Sequence, residues 1–382
     1  SKKLVRGTTT LNKTVMGDVS ATVNAEVEYS EGRSLFGLSG TLEPLVRDTN
    51  TETAHLGFSL NGNKGKWRWS ATGNGDVGRA ESRSDRTDDA EIDRAETLTA
   101  SADVDLLANG PLFALPAGDA SATFKVGART LHLDGVRRRG GELSPPTDLA
   151  RTRGTASANI DLPISRRNRG FSALGNLTLN ANAEVEQLSD FGTLTTIGAG
   201  LNWSPVARLN LITSWTREEG APSVQQLGDP IFETPGTRVF DFRRNETVEA
   251  IAITGGNPDL LSDRRNVIKV GANWRPLEET DLRVRVDYVH SRIDRPISSF
   301  FGVSGAVEDA FPDRFVREAC APEPCIGELI SVDLRPVNFD EARRETIRWG
   351  FDFSKPLRSA RPSQAAIERF RAQRGAQERP NQ

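Results

Sequence analysis

The chain has no stretch of about eighteen unbroken apolar residues, the length a membrane helix needs, so spanning by helices is excluded. Its mean hydropathy is -0.46. Histidine is scarce: His55, His132 and His290 lie far apart and far from the two cysteines, Cys320 and Cys325, so a Cys/His metal site is not expected. There is no Gly-rich phosphate loop, no H-E-x-x-H and no nucleophile elbow, and no catalytic residue, metal or cofactor is expected. Charge of one sign is missing too. With 49 basic and 52 acidic residues the net charge is -3, which gives no reason to expect a nucleic-acid partner. A secretion signal is absent, since the chain opens Ser1, Lys2, Lys3 and is strand-like by about Leu11; a processed, truncated or fragmentary chain is expected.

Both cysteines fall in one polar segment, CAPEPC, where their closeness favours a small local disulfide in an oxidising compartment, two free thiols being the alternative. The acid-rich run Asp85 to Asp93 offers oxygen ligands but lacks the EF-hand pattern, and a solvated loop is the simpler expectation.

What the sequence has in quantity is alternation. Val19, Ala21, Val23, Ala25, Val27 and Tyr29 are separated by Ser20, Thr22, Asn24, Glu26 and Glu28, the period of a β-strand with one wet face. The pattern returns at Leu98 to Leu106, Leu177 to Val185, Ile268 to Trp274 and Leu282 to Tyr288. Runs of about nine or more residues are long enough to cross a bilayer as tilted strands. A membrane β-barrel, invisible to hydropathy because every second residue is polar, is the expected fold.

Connection lengths support it. Turn-like segments are expected at Ser30–Ser34, Asn61–Gly65, Gly110–Asp119, Ser165–Gly170, Ser204–Ala207, Pro276–Thr280 and Lys355–Leu357. Polar stretches at Pro44–Glu52, Asn74–Arg94, Asp134–Arg153, Gln187–Gly192, Arg217–Arg265 and Arg295–Ala342 interleave with them, as the two ends of a membrane barrel require. The six tryptophans share the parity of their strands' apolar residues, and Trp67, Trp203 and Trp274 lie beside short turns, as in an interfacial aromatic girdle. Val23, Ala183, Val270 and Val284 are therefore expected to face lipid, with Glu26, Asn182, Lys269 and Arg285 facing inward. From Arg358 to Gln382 the alternation stops, and a flexible Arg-rich tail is expected on the periplasmic side, or the start of a disordered insertion, with a helix-compatible piece at Gln364–Arg374.

Four segments carry a family resemblance: GPLFALPAGDASATFKVGAR (Gly110–Arg129), LNWSPVARLNLITSWTREEGAPSVQQLGDP (Leu201–Pro230), GGNPDLLSDRRNVIKVGANWRP (Gly255–Pro276) and VNFDEARRETIRWGFDF (Val337–Phe353). The chain resembles the barrel portion of TonB-dependent outer-membrane receptors. The resemblance implies an all-β fold, a transmembrane antiparallel barrel of about twenty-two strands. About thirteen or fourteen are visible here, so residues 1–357 are expected to be a barrel segment, the plug and the energy-coupling segment lying outside this chain.

The function so implied is uptake of a scarce nutrient, such as a metal chelate, vitamin or oligosaccharide, driven by the inner-membrane TonB complex through the absent plug, in contact with outer-membrane lipid and lipopolysaccharide. A passive porin or a scaffold barrel in a surface protein complex is the alternative, and a soluble β-rich adhesion module a third. Ligand contacts are expected in the long loops, where Arg238, Phe240, Phe242, Arg243 and Arg244 combine guanidinium groups with aromatic faces, with Arg137, Arg138 and Arg139 nearby in the barrel order.

Overall fold

Among the described residues, alternating apolar and polar positions pair into thirteen long antiparallel strands in sequential order, joined as a single sheet. The computed structural model describes residues 2–15, 17–38, 44–85, 92–139, 142–167, 169–170, 172–278, 281–299, 303–320, 325–355 and 363–377. The sheet strands are β1 (Lys2–Val15), β2 (Val19–Leu38), β3 (Pro44–Lys64), β4 (Trp67–Asp85), β5 (Ile92–Leu115), β6 (Gly118–Arg139), β7 (Thr147–Arg166), β8 (Asn176–Leu188), β9 (Gly192–Ser204), β10 (Leu209–Gly220), β13 (Asp263–Trp274), β14 (Asp281–Asp294) and β17 (Glu341–Ser354). The numbers skipped belong to a second sheet built by two loops: β11 (Phe232–Asp241) and β12 (Glu246–Thr254) between β10 and β13, and β15 (Phe315–Arg317) and β16 (Leu329–Asp333) between β14 and β17.

Register holds the two faces apart over the whole sheet. Val23 stands opposite Phe58, Ala183 opposite Ile197, Val270 opposite Thr213 and Tyr288, and Val284 opposite Trp274. On the other face His55 stands between Glu26 and Asp76, and Arg348 opposite Asp287. The apolar face is exposed throughout, with Leu106, Val126, Ile347, Trp349 and Phe351 all more than half accessible, the signature of a surface meant for lipid. At the turn end Trp67 lies stacked on Phe124, and Trp203 Nε1 donates to the Leu174 carbonyl at 2.8 Å. Two matching stretches, GLNWSP at Gly200–Pro205 and GANWRP at Gly271–Pro276, close β9 and β13 at this same end.

Several expected connections are strand instead. Ser30–Ser34 lies inside β2, paired with β3 from Arg47 to Thr51, so no turn forms there. Pro44–Glu52 is part of β3, Asn74–Asp85 belongs to β4 and Ile92–Arg94 to β5, and of Asp134–Arg153 the stretches Asp134–Arg139, Glu142–Leu143 and Thr147–Arg153 are strand. The turn expected at Gly110–Asp119 shrinks to residues 116–117, because β5 continues to Leu115. The cause is common to these segments. β2, β3, β5 and β6 run 20 to 24 residues, roughly twice the 9–11 needed to cross a bilayer. Beyond the bilayer both faces are wet, so hydrophobic alternation fades while backbone pairing continues. The pairing of β2 with β3 carries a register shift between Leu35 and Gly37, as at a β-bulge.

β17 runs back to the turn end, from which the tail leaves; within it α3 spans Gln364–Gln377. Residues 356–357 of the expected last turn and residues 86–91 of the acid-rich run lie outside the described residues.

Candidate functional site

The two long loops between sheet strands co-fold into one compact unit over the loop end. Its strands run β11–β12–β16–β15, with β12 and β16 parallel, so each half of the sheet comes from a different loop. Val248, Ala250, Phe315, Leu329 and Val332 form its apolar core, joined by Val239, Val303, Val307 and Leu334. Helix α2 (Gly305–Ala310), capped by the Ser304 hydroxyl, supplies Val307 to that core.

The motifs that carried the family resemblance build the base of this unit. Ser223 caps the short helix α1 (Val224–Gly228) in a capping box with Gln226. The Asn257 amide donates to the Gln226 carbonyl at 2.7 Å, and the Asn257 side chain donates to the Pro336 carbonyl at 2.9 Å. A Cβ at Gly256 would come within 2.6 Å of the Asp229 nitrogen, so only glycine lets the two motifs meet. GAPSVQQL and GNPDL therefore fasten the first loop to itself and, through Pro336, to the second.

Of the five loop residues expected to touch ligand, the structure separates two kinds. Arg243 pairs with Asp309 at 2.6 Å and with buried Glu308 at 3.2 Å, while Arg244 pairs with Glu246 at 2.6 Å. Both are engaged within the loop unit. Arg238, Phe240 and Phe242 share the open face of the hairpin, opposite Glu249 and Thr247 in register for the first two. The two phenyl rings meet edge to face with centroids 4.9 Å apart, and both remain over 40% exposed. Asp241, between them in sequence, points the other way and is fully buried. It accepts from Arg317, which also grips Glu308 at 2.7 Å. Those hydrogen bonds hold the Asp241 carboxyl well below the usual carboxylate range.

Under the loop unit lies a cleft of about 330 Å³ lined by Thr97, Gly135, Arg137 and Thr147 of the barrel rim and by Asp229, Phe232 and Thr254 of the loops. Arg137 thus reaches the space between rim and loop, and burial pushes the Asp229 carboxyl up. Arg138 belongs to the opposite parity, and the Arg139 side chain lies outside the described residues. Cys320 and Cys325 are disulfide-linked at an exposed stretch of the same unit, their Cα atoms 5.8 Å apart.

Deeper on the polar, concave face is a larger basin of about 690 Å³, formed by β10, β13, β14 and β17. Arg265, Lys269, Arg344 and Arg348 line it with one carboxylate, Asp287. Among the described residues no carboxylate stands within ion-pair distance of these four cations, all of which are exposed. Elsewhere the concave face pairs its charges: Arg6 with Glu28, His55 with Asp76 at 2.7 Å, Lys125 with Asp105 at 3.1 Å and Arg153 with Glu186 at 3.0 Å. The basin is therefore a local excess of positive charge on a wall that is otherwise internally compensated. Arg265 shares the inward parity of Lys269, four residues on in β13, and Arg344 shares that of Arg348 in β17; what sequence spacing does not show is that the two strands bring the pairs together across β14.

A family described as TonB dependent receptor-like, beta-barrel, matches residues 6–354. Among solved structures the chain is similar to the siderophore receptor PirA from Acinetobacter baumannii (TM-score 0.59, 11% identity, 92% of this chain and 50% of that one). It is also similar to the RagAB peptide importer in its closed-closed state (TM-score 0.58, 10% identity, 94% and 45%). The alcaligin receptor FauA from Bordetella pertussis is a third (TM-score 0.51, 12% identity, 94% and 55%). No curated protein matches the chain. The chain spans about half the length of the solved structures it matches. The family match covers nearly all of the thirteen-stranded sheet and both loop insertions, and the chain belongs to the TonB-dependent receptor β-barrel family of the bacterial outer membrane.

Proposed function

We propose that this chain forms part of the wall and outer mouth of an energy-coupled importer whose cargo is an anionic small molecule, a metal chelate bearing carboxylate or catecholate groups being the best fit. The observation that carries the reading is the basin of Arg265, Lys269, Arg344 and Arg348 around the single acid Asp287. Four cations gathered around one carboxylate leave a net positive charge, and an anion entering the lumen neutralises it. Exposed guanidinium groups also offer forked donors to planar carboxylates. Arg238, Phe240 and Phe242 on the open loop face are proposed as first contacts above it. Siderophore receptors and a peptide importer stand among the similar structures, which agrees with uptake of scarce solutes.

The test is uptake by the full-length protein in cells lacking other receptors, using a ferric tricarboxylate chelate and a neutral ferric chelate of similar size. Replacing all four basin cations by Gln is expected to lower uptake of the anionic chelate at least tenfold and to leave the neutral one unchanged. Collapse of the proton gradient should stop uptake and spare binding. Full-rate uptake without the gradient would make the protein a passive pore, and equal loss for both chelates would remove the basin from cargo recognition.

A further inference from the structure

The outward face carries a group of side chains that neither lipid contact nor cargo recognition uses. At the loop end of β6 and β7, Asp134 and Asp148 stand directly opposite each other in register. Both have the parity of Val126 and Ala156, and so project away from the lumen. His132, two residues along β6 on the same face, places Nε2 2.9 Å from Asp134 Oδ2 and Nδ1 3.9 Å from Asp148 Oδ1. One ligand atom from each of the three lies within 4.8 Å of the others.

The position is at the rim of the lipid-facing band. Counting along the outward parity of β6, Phe124, Val126 and Ala128 are apolar, Thr130 is polar, and His132 and Asp134 follow. In the same cross-strand row β5 contributes Leu98, beyond which come Glu96 and Arg94. Val136 and Arg138 follow on the same parity, so the site sits where the unbroken apolar run gives way to mixed residues, with its three side chains at least 43% exposed. The ladder of β8 with β7 ends at Arg153 and the hairpin reaches Arg151 through Asp190, short of Asp148, whose side chain is 75% exposed.

Two carboxylates directly opposed on adjacent strands repel, and the arrangement costs energy unless a cation lies between them. We propose that His132, Asp134 and Asp148 form a divalent-cation site of the zinc type on the outer rim of the barrel. One imidazole nitrogen and two carboxylate oxygens are the three-ligand set of an open zinc site, with the fourth position left to water. Tetrahedral ligation at bond lengths of about 2.0 Å places ligand atoms about 3.3 Å apart. The three side chains are at least 43% exposed, which leaves room for the rotation that this spacing requires. Calcium is disfavoured, because it requires six to eight oxygens and finds two carboxylates and a nitrogen. The bound ion would cross-link β6 to β7 at the level where the barrel leaves the membrane.

The experiment uses the full-length protein in detergent, stripped with EDTA and titrated calorimetrically with Zn²⁺ at neutral pH in the presence of millimolar Ca²⁺. One saturable site per chain is expected. His132→Ala and Asp148→Asn should each weaken it at least tenfold, and the triple change with Asp134→Asn should abolish it. All three side chains are outside the apolar core, and heat-modifiable migration on gels verifies that each variant is folded. Co²⁺ provides a second readout, since four-coordinate ligation with an imidazole gives an intense visible band that His132→Ala should remove. Zinc affinity equal in the wild type and the triple variant, or a cobalt spectrum unchanged by His132→Ala, would overturn the proposal.

Discussion

The guanidinium of Arg317 holds both carboxylate oxygens of Asp241, at 2.7 and 2.8 Å, across 76 residues of chain. Asp241 ends β11 in the first long loop and Arg317 ends β15 in the second. The contact therefore joins two loops that the barrel itself connects only through β13 and β14. Glu308 completes the network from α2, and the Arg243 and Arg244 amides donate to Asp241 at 3.0 and 3.2 Å.

Replacing Arg317 with Met leaves the Asp241 carboxylate buried with its guanidinium partner gone. Loss of one member of a buried pair costs about 3–5 kcal/mol. That cost falls on the loop unit, because the barrel strands share no part of the network. Limited proteolysis should cut the R317M loops between residues 295 and 340 while the barrel keeps its heat-modifiable mobility. A simultaneous loss of barrel migration would show that the loop unit and the barrel fold as one.

Acid should loosen the same unit. The Arg317 hydrogen bonds depress the Asp241 pKa in the folded state, so the unfolded state binds the proton more readily. The stabilisation is complete above the usual carboxylate range and is lost as pH falls through that range toward the depressed value. Asp229 works in the opposite sense: burial raises its pKa, so its contribution is largest in acid and declines as pH rises through the usual range. Hydrogen exchange at pH 3 against pH 6, corrected for intrinsic rates, should show lost protection at β11 and β15. The R317M protein should show little further loss.

An arginine at Val270 should cost about 2–4 kcal/mol in a bilayer, the penalty for a cation on the lipid face near the midplane. Val270 lies four residues from the Trp274 end of β13 and shares that residue's face. Lys269→Ala, on the opposite face, should change barrel stability by much less. Urea unfolding in lipid vesicles measures both. A stable Val270→Arg barrel beside an unstable Lys269→Ala one would reverse the assignment of faces.

Strand parity was legible because one face of a membrane strand must be apolar at every second position, as from Val19 to Tyr29 and Leu177 to Val185. Strand ends were not. Past Tyr29 the chain continues as Glu31, Arg33 and Leu35 in unbroken pairing, yet those residues look like a loop by hydrophobicity. The loop sheet was hidden inside Arg217–Arg265 and Arg295–Ala342, although Val248, Ala250 and Ala252 on β12 carry the same two-residue period and now form its buried side. The parallel pairing of β12 with β16 joins segments far apart in sequence, and nothing local encodes it. Charge clusters suffered most. Arg265 and Arg344 reach the basin with Lys269 and Arg348 only because β13, β14 and β17 pair in one register, and Asp148 meets His132 only through the register of β6 with β7.

Arg238, Phe240 and Phe242 differ from Arg243 in a way that mutation should expose. The first three lie on the open face of the β11–β12 hairpin, whereas Arg243 is tied to Glu308 and Asp309. If the open face makes first contact with cargo, Phe240→Ala together with Phe242→Ala should weaken binding by about 1–3 kcal/mol, the range for losing two exposed aromatic contacts. Loop protection from protease should stay as in the wild type. Arg243→Gln should do the reverse, loosening α2 against the hairpin and altering affinity only as far as the loop becomes disordered. Equilibrium binding of the ferric tricarboxylate chelate and limited proteolysis on the same preparations separate the two effects. Unchanged affinity in the double phenylalanine variant would move first contact from the hairpin face to the cleft at Arg137 and the basin beneath it.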